Sequence, residues 1–118
     1  MRNIFLAPRS NETAYKNYIS SMQGIPRTTI TPFLTDTELV GLGDRISFHI
    51  WGCQPSLENR WRQMNDGDFV MFYSHGKFIS VGKLIFKKKS EGLALKLWPP
   101  STNSQKPWSC VFFVDSLE

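Results

Sequence analysis

Residues that build metal sites and covalent staples are scarce in this sequence. It holds two cysteines, Cys53 and Cys110, and two histidines. The cysteines have no C-x-x-C spacing and no accompanying histidine cluster, so neither a metal site nor a cofactor is expected. A disulfide between them stays open, but reduced thiols in a cytoplasmic protein are the preferred reading. No run approaches the ~18 apolar residues of a membrane span, and Met1-Arg2-Asn3 does not open a signal peptide, so no membrane partner is expected. Charge of one sign is modest too: a net +4 permits a polyanion partner without demanding one. At 118 residues the chain is expected to be a single domain, 1–118. A domain of this size buries roughly two-thirds of its unfolded surface.

What the chain does have is aromatic side chains: nine Phe, three Tyr and four Trp. Some must form the core, and periodicity sorts them. Asn3 to Pro8 reads as a short buried strand closed by proline. Tyr15, Tyr18, Ile19 and Met22 recur at helical spacing between Glu12 and Met22, with Asn11 at the N-cap position. Residues 25–44 are rich in Thr, Pro and Gly, and only Asp36 to Val40 suggests a helical turn. Arg45 to Ile50 reads as a strand that ends on Trp51. Ser56 to Met64 reads as a helix with Leu57, Trp61 and Met64 on one stripe, which makes Trp61 a core residue. Asp68 to Tyr73 and Phe78 to Phe86 read as strands around the turn Ser74-His75-Gly76-Lys77, with Gly82 expected at a bulge or bend. Lys87 to Gly92 reads as a charged loop. The alternation of Leu93, Leu95 and Leu97 predicts a half-exposed strand, with Trp98 on the face opposite the leucines. Ser109 to Val114 is the last strand. Six strands with two or three helices in this order predict an α+β fold around a small, strongly bent sheet or barrel.

Trp51, Trp98 and Trp108 all stand at predicted strand–loop borders, where a barrel presents its mouth. Singly, each is explained by packing at the rim. Together they would form a slot for a flat or methylated group. Stacking in such a slot is worth about 1–3 kcal/mol per base, and burying a methyl group adds roughly 0.8 kcal/mol.

The motifs "HIWGCQPSLENRW", "MNDGDFVMFYSHGKFISVGKL", "LKLWPP" and "PWSCVFFV", with "IFLAPRSN" at the start, follow an order similar to that of the PUA-like superfamily. Within it the chain resembles the EVE and YTH domains over residues 3–11 and 45–115. It departs between Asn11 and Trp51, a stretch much longer than in typical YTH domains. The resemblance implies a non-catalytic reader of methylated nucleic acid, with DNA preferred over RNA. In such a reader a flipped base, 6-methyladenine first of all, sits in an aromatic cage. Carried over residue by residue, Trp51, Trp98 and Trp108 would be the walls. Asn11 would bond the ring nitrogen, and the backbone from Gly52 to Cys53 would meet the methylated amine. Similar domains stand at the N-terminus of McrB-type modification-dependent restriction proteins. The chain is therefore expected to be the specificity module of a longer protein with a GTPase motor and a nuclease partner.

Other candidates are electrostatic. Arg9 and Ser10 flank a helix start that suits a phosphate, Arg60 and Arg62 lie on an exposed helix face, and Lys87, Lys88 and Lys89 form a basic run. Asn11 can equally cap its own helix, worth about 1 kcal/mol. His49 and Cys53 share a strand face but lack a third orienting group, so no catalytic residue is assigned. Two rival readings stay open. One is a PUA-like RNA-binding domain that reads unmodified or methylated RNA. The other is an ASCH-like small-molecule-binding domain or enzyme.

Overall fold

The apolar runs of the sequence become the middle of a mixed sheet. The computed structural model describes residues 4–8, 21–22, 24–74, 77–99 and 107–115. Its strands are β1 (Ile4–Pro8), β2 (Ile25–Pro26), β3 (Ser47–Cys53), β4 (Phe69–Ser74), β5 (Lys77–Lys89) and β6 (Cys110–Asp115). They are hydrogen-bonded in the order β1-β4-β5-β6-β3-β2. β1 runs parallel to β4, and the other pairings are antiparallel. The helical segments are α1 (Arg27–Ile30), α2 (Asp36–Gly41), α3 (Glu58–Arg62) and α4 (Glu91–Leu97), and Ser21 and Met22 are also helical. The architecture is α+β, as expected. Among the described residues, no helix is long and apolar enough to cross a membrane.

Cys110 to Val114 of β6 are buried without a break, because both faces of the sheet are covered there. Residues two apart in a strand share a face. On one face Trp51, Phe112 and Val114 pack with Trp61, Met64, Val70, Phe72 and Leu84. On the other, Phe48, Ile50, Val111 and Phe113 pack with Ile30, Leu42, Leu93, Ala94 and Trp98. The chain therefore has two cores, divided by β3 and β6.

The structure corrects several local expectations. Leu93 to Trp98 is not a strand but α4, with its C-cap at Trp98. The Ser90 hydroxyl caps it by accepting from the Leu93 N–H at 3.1 Å, and Glu, Ala, Leu and Lys favour the helix. Wound at 3.6 residues per turn, Leu93, Ala94 and Trp98 share the buried side, while Leu95 faces out. Trp98 thus sits with leucines rather than opposite them. The sixth strand is instead Ile25–Pro26, paired with Phe48 and Ser47.

β3 does not end at Trp51. It continues to Cys53, because Gly52 and Cys53 pair with Val111 and Cys110. Lys87 to Lys89 are not a loop but the end of β5, paired with Phe112, Val111 and Cys110. Gly82 pairs regularly with Val70, and the register shifts fall between Phe72 and Tyr73 and between Leu84 and Phe86. The helix read from Ser56 begins as a 3₁₀ turn, Pro55–Leu57, before α3. The tighter turn takes Leu57 off the buried stripe and leaves it 51% exposed, while Trp61 and Met64 remain core. In the Thr-, Pro- and Gly-rich segment 25–44, α2 starts on a reciprocal capping box between Thr35 and Glu38.

Candidate functional site

Trp51, Trp98 and Trp108 are brought together. The ring centroids of Trp51 and Trp108 lie 5.1 Å apart, those of Trp51 and Trp98 6.2 Å, and those of Trp98 and Trp108 5.7 Å. Trp51 belongs to one core and Trp98 to the other, and Trp108 packs against both. Side chains from opposite faces of a sheet are ordinarily kept apart by the sheet itself. Gly52 removes that barrier. A Cβ there would stand 2.8 Å from Trp98 Cζ3 and 2.8 Å from the Trp108 carbonyl oxygen. The missing side chain after Trp51 is thus the gap through which the indoles meet.

The trio is closed in this structure. Trp51 is 3% exposed and Trp98 5%, and the rings meet edge-on or tilted, with no slot between them. Two walls are held firmly. Trp51 packs edge-on against Phe72 at 6.0 Å. Trp98 Nε1 donates to Ser21 Oγ at 3.1 Å, and that hydroxyl donates to the Ile50 carbonyl at 2.6 Å. Trp108 is only half-buried, and among the described residues its indole nitrogen makes no hydrogen bond. It is the wall with least to hold it.

The Ile50 carbonyl meets Ser21 on the edge of β3 that faces away from β6. Backbone groups alternate between the two edges of an antiparallel strand, so those of Gly52, two residues on, face the same outer edge. β2 covers that edge only at Ser47 and Phe48. The backbone of Gly52 is therefore directed away from β6, whereas that of Cys53 is turned towards it.

The basic candidates are engaged within the fold. Lys87 Nζ donates to the carbonyls of Trp61 at 3.0 Å and Arg62 at 2.9 Å, and it lies 5.0 Å from the Trp61 ring centre. It closes the C-terminal end of α3, and burial, with Arg62 nearby, holds its ammonium below the ordinary lysine value against the pull of Asp66 and Asp68. Lys88 pairs with Glu38 of α2 at 2.6 Å, and Lys89 with Glu58 of α3 at 2.6 Å. Alternation along β5 thus sends Lys87 and Lys89 to one helix and Lys88 to another. Glu58 also receives Arg62, and Lys89 and Arg62 together hold its carboxyl below the usual range. Burial raises the Glu38 carboxyl, but Lys88 and Thr35 outweigh it and the net shift is downward. Arg60 opens onto a surface groove lined also by Ile4, Phe5, Asn59 and Gln63. Arg9, Ser10 and Asn11 lie outside the described residues.

His49 and Cys53 are not brought together, since four residues of strand separate them by about 13 Å. The His49 ring lies 2.5 Å from the Met22 carbonyl through Nδ1. Burial, with Cys110 alongside, pushes the Cys53 thiol up to about 12, the reverse of an activated nucleophile. Cys53 and Cys110 face each other across β3 and β6 as free thiols. Among the described residues, no group of three or more His, Cys, Asp or Glu could hold a metal ion.

Sequence reasoning missed Ser21 and the steric role of Gly52. A serine immediately before Met22, beside the apolar stripe, was the available signal for the first. The second depends on contacts made only in the folded chain.

No family model matches the sequence, and none of the curated proteins matches it. Among solved structures, the N-terminal domain of Thermococcus gammatolerans McrB bound to m5C DNA is similar, with a TM-score of 0.70 and 13% sequence identity. The match covers 99% of this chain and 75% of that one. The two chains share a fold. That shared fold agrees with the α+β class that the order of motifs implied.

Proposed function

We propose that this chain is a non-catalytic reader of methylated DNA that holds a flipped base between indoles. The observation that carries this reading is the meeting of Trp51, Trp98 and Trp108 through the gap at Gly52. The shared fold supports it, because the McrB domain was solved with methylated DNA. Trp51 and Trp98 are the fixed walls, and Trp108 swings aside to admit the base. The outward-facing backbone of Gly52 meets the methylated amine, and Asn11 bonds the ring nitrogen of the base. Arg60, with Arg9, Ser10 and the exposed Arg62 and Lys89, contacts the phosphates and supplies salt-dependent affinity that carries no sequence information, while Lys87 and Lys88 hold the fold.

The proposed base is 6-methyladenine, whose two-ring face matches the breadth of an indole. 5-Methylcytosine is the second reading, favoured by the base in the McrB complex. In the cell the chain would act in the cytoplasm as the specificity module of a longer restriction protein, ahead of a GTPase motor with a nuclease partner. The raised Cys53 thiol and its distance from His49 weigh against the enzyme alternative.

The test is anisotropy binding to duplexes that differ in a single methyl group, with a matched RNA as competitor. Wild type should select one methylated duplex over its unmethylated twin, and Trp51→Ala should lose that selection while keeping a cooperative melt. Equal binding of methylated and unmethylated DNA, or displacement by RNA, would overturn the reading.

A further inference from the structure

We infer that Ser21 is a positioning residue that sets the stance of Trp98 and so the discrimination between methylated and unmethylated base. The inference rests on the reader proposed above. Ser21 is fully buried, at 0% exposure. Its single hydroxyl proton goes to the Ile50 carbonyl at 2.6 Å, which turns a lone pair towards Trp98 Nε1 at 3.1 Å. One oxygen thereby ties the Trp98 ring, which comes from α4, to the backbone one residue before Trp51. The two walls are referred to each other through this atom.

Without the hydroxyl, a buried indole N–H and a buried carbonyl both lose a partner. The ring then turns to find another acceptor. A radial gap of about 0.5–1 Å already forfeits a quarter to a half of a dispersion contact. A stacked base face loses contact in both duplexes alike, whereas the methyl group's loss falls on the methylated duplex only. The ratio between the two duplexes therefore falls along with affinity, and a loss of fold stability alone would leave that ratio unchanged.

The experiment measures binding of wild type, Ser21→Ala, Trp98→Phe and the double variant to a duplex with one 6-methyladenine, its unmethylated twin and a 5-methylcytosine duplex. Tryptophan emission and thermal melts are recorded alongside. Ser21→Ala is expected to lower the methylated-to-unmethylated ratio about 1.4- to 2-fold, towards one, with shifted emission. In the Trp98→Phe background the same change should do nothing further, because phenylalanine has no N–H to hold. Should Ser21→Ala not fold, Ser21→Thr and Ser21→Cys decide: the hydroxyl keeps the ratio and the thiol, a weak acceptor, loses it. A wild-type ratio in Ser21→Ala or Ser21→Cys, or an equal loss in the Trp98→Phe background, overturns the positioning role alone. Wild type that prefers neither methylated duplex overturns the reader and the positioning role together.

Discussion

Replacing Gly52 with alanine adds one methyl group at the point where the two indole layers touch. Its Cβ would stand 2.8 Å from Trp98 Cζ3, 3.0 Å from Trp98 Cη2 and 2.8 Å from the Trp108 carbonyl oxygen. Carbon contacts are at their best from ~3.5 Å, so these neighbours must retreat by about 0.7 Å. Neither yields easily: one is backbone, and the other is a buried ring tied to Ser21. Overpacking of this kind costs about 1–3 kcal/mol. For a domain of this size each kcal/mol lowers Tm by roughly 4 °C. The retreat also separates Trp98 from Trp51, so selectivity for a methylated duplex should fall with stability. Calorimetry and anisotropy on the same preparation measure both. Gly41→Ala is the control, because an added Cβ there meets nothing within 4 Å and the site is helical. It should be neutral or stabilising by about 1 kcal/mol. A Gly52→Ala protein that melts with wild type and keeps its selectivity would refute the idea that the indoles meet through a gap.

The remaining expectations concern the frame around the site. Trp61→Phe removes an indole N–H that donates to the Val111 carbonyl at 3.2 Å, and should cost about 1–3 kcal/mol in urea unfolding, with a loss under ~0.5 kcal/mol refuting its role. Cys53, raised from 9.0 to about 12, should resist iodoacetamide at pH 8. Its raised value means that the fold favours the protonated thiol, so that contribution is whole below pH 9.0 and is lost as pH rises towards about 12. The stability difference between wild type and Cys53→Ala, followed by denaturant midpoint, should change across that window and not below it. Arg60→Ala should weaken binding to methylated and unmethylated duplexes alike and reduce the salt slope by about one, and an unchanged slope would remove it from the phosphate contacts.

Strands β1, β4, β5 and β6 were legible because their apolar residues run or alternate without competing signals. α4 was not, because its seven residues fit two periods. Leucines at 93, 95 and 97 alternate at period two, while Leu93, Ala94, Leu97 and Trp98 fit a helical face. The Ser90 cap that settles the matter lies outside the apolar pattern. The lysine run misled for a related reason: three charges in a row suggest solvent, yet pairing with β6 carries the strand through them and each ammonium finds a helix partner. At the site, three tryptophans at element borders were readable as a set. Their burial was not, because it comes from two cores that meet only once Gly52 is in the sheet and Ser21 is against Ile50, contacts between residues far apart in the chain.

A closed trio alters what methylation has to accomplish. Trp108 makes ring contacts with both other walls, at 5.1 and 5.7 Å. Aromatic pairs are worth about 0.5–1.5 kcal/mol each beyond area burial, so displacing Trp108 costs about 1–3 kcal/mol. Extruding the base from the duplex costs on the order of a few kcal/mol more. A base sandwiched by two indoles, counted at about 1–3 kcal/mol for each, recovers about 2–6 kcal/mol. These terms nearly cancel, so an unmodified base gains little by entering, and the roughly 0.8 kcal/mol of a buried methyl group tips the balance. That increment corresponds to a preference of only about fourfold. Ring walls alone therefore predict modest selectivity, independent of salt, on top of an affinity that falls steeply with salt because phosphates supply it. A measured preference of hundreds would assign the discrimination instead to hydrogen bonds that only the methylated base completes, with the backbone of Gly52 the first place to look.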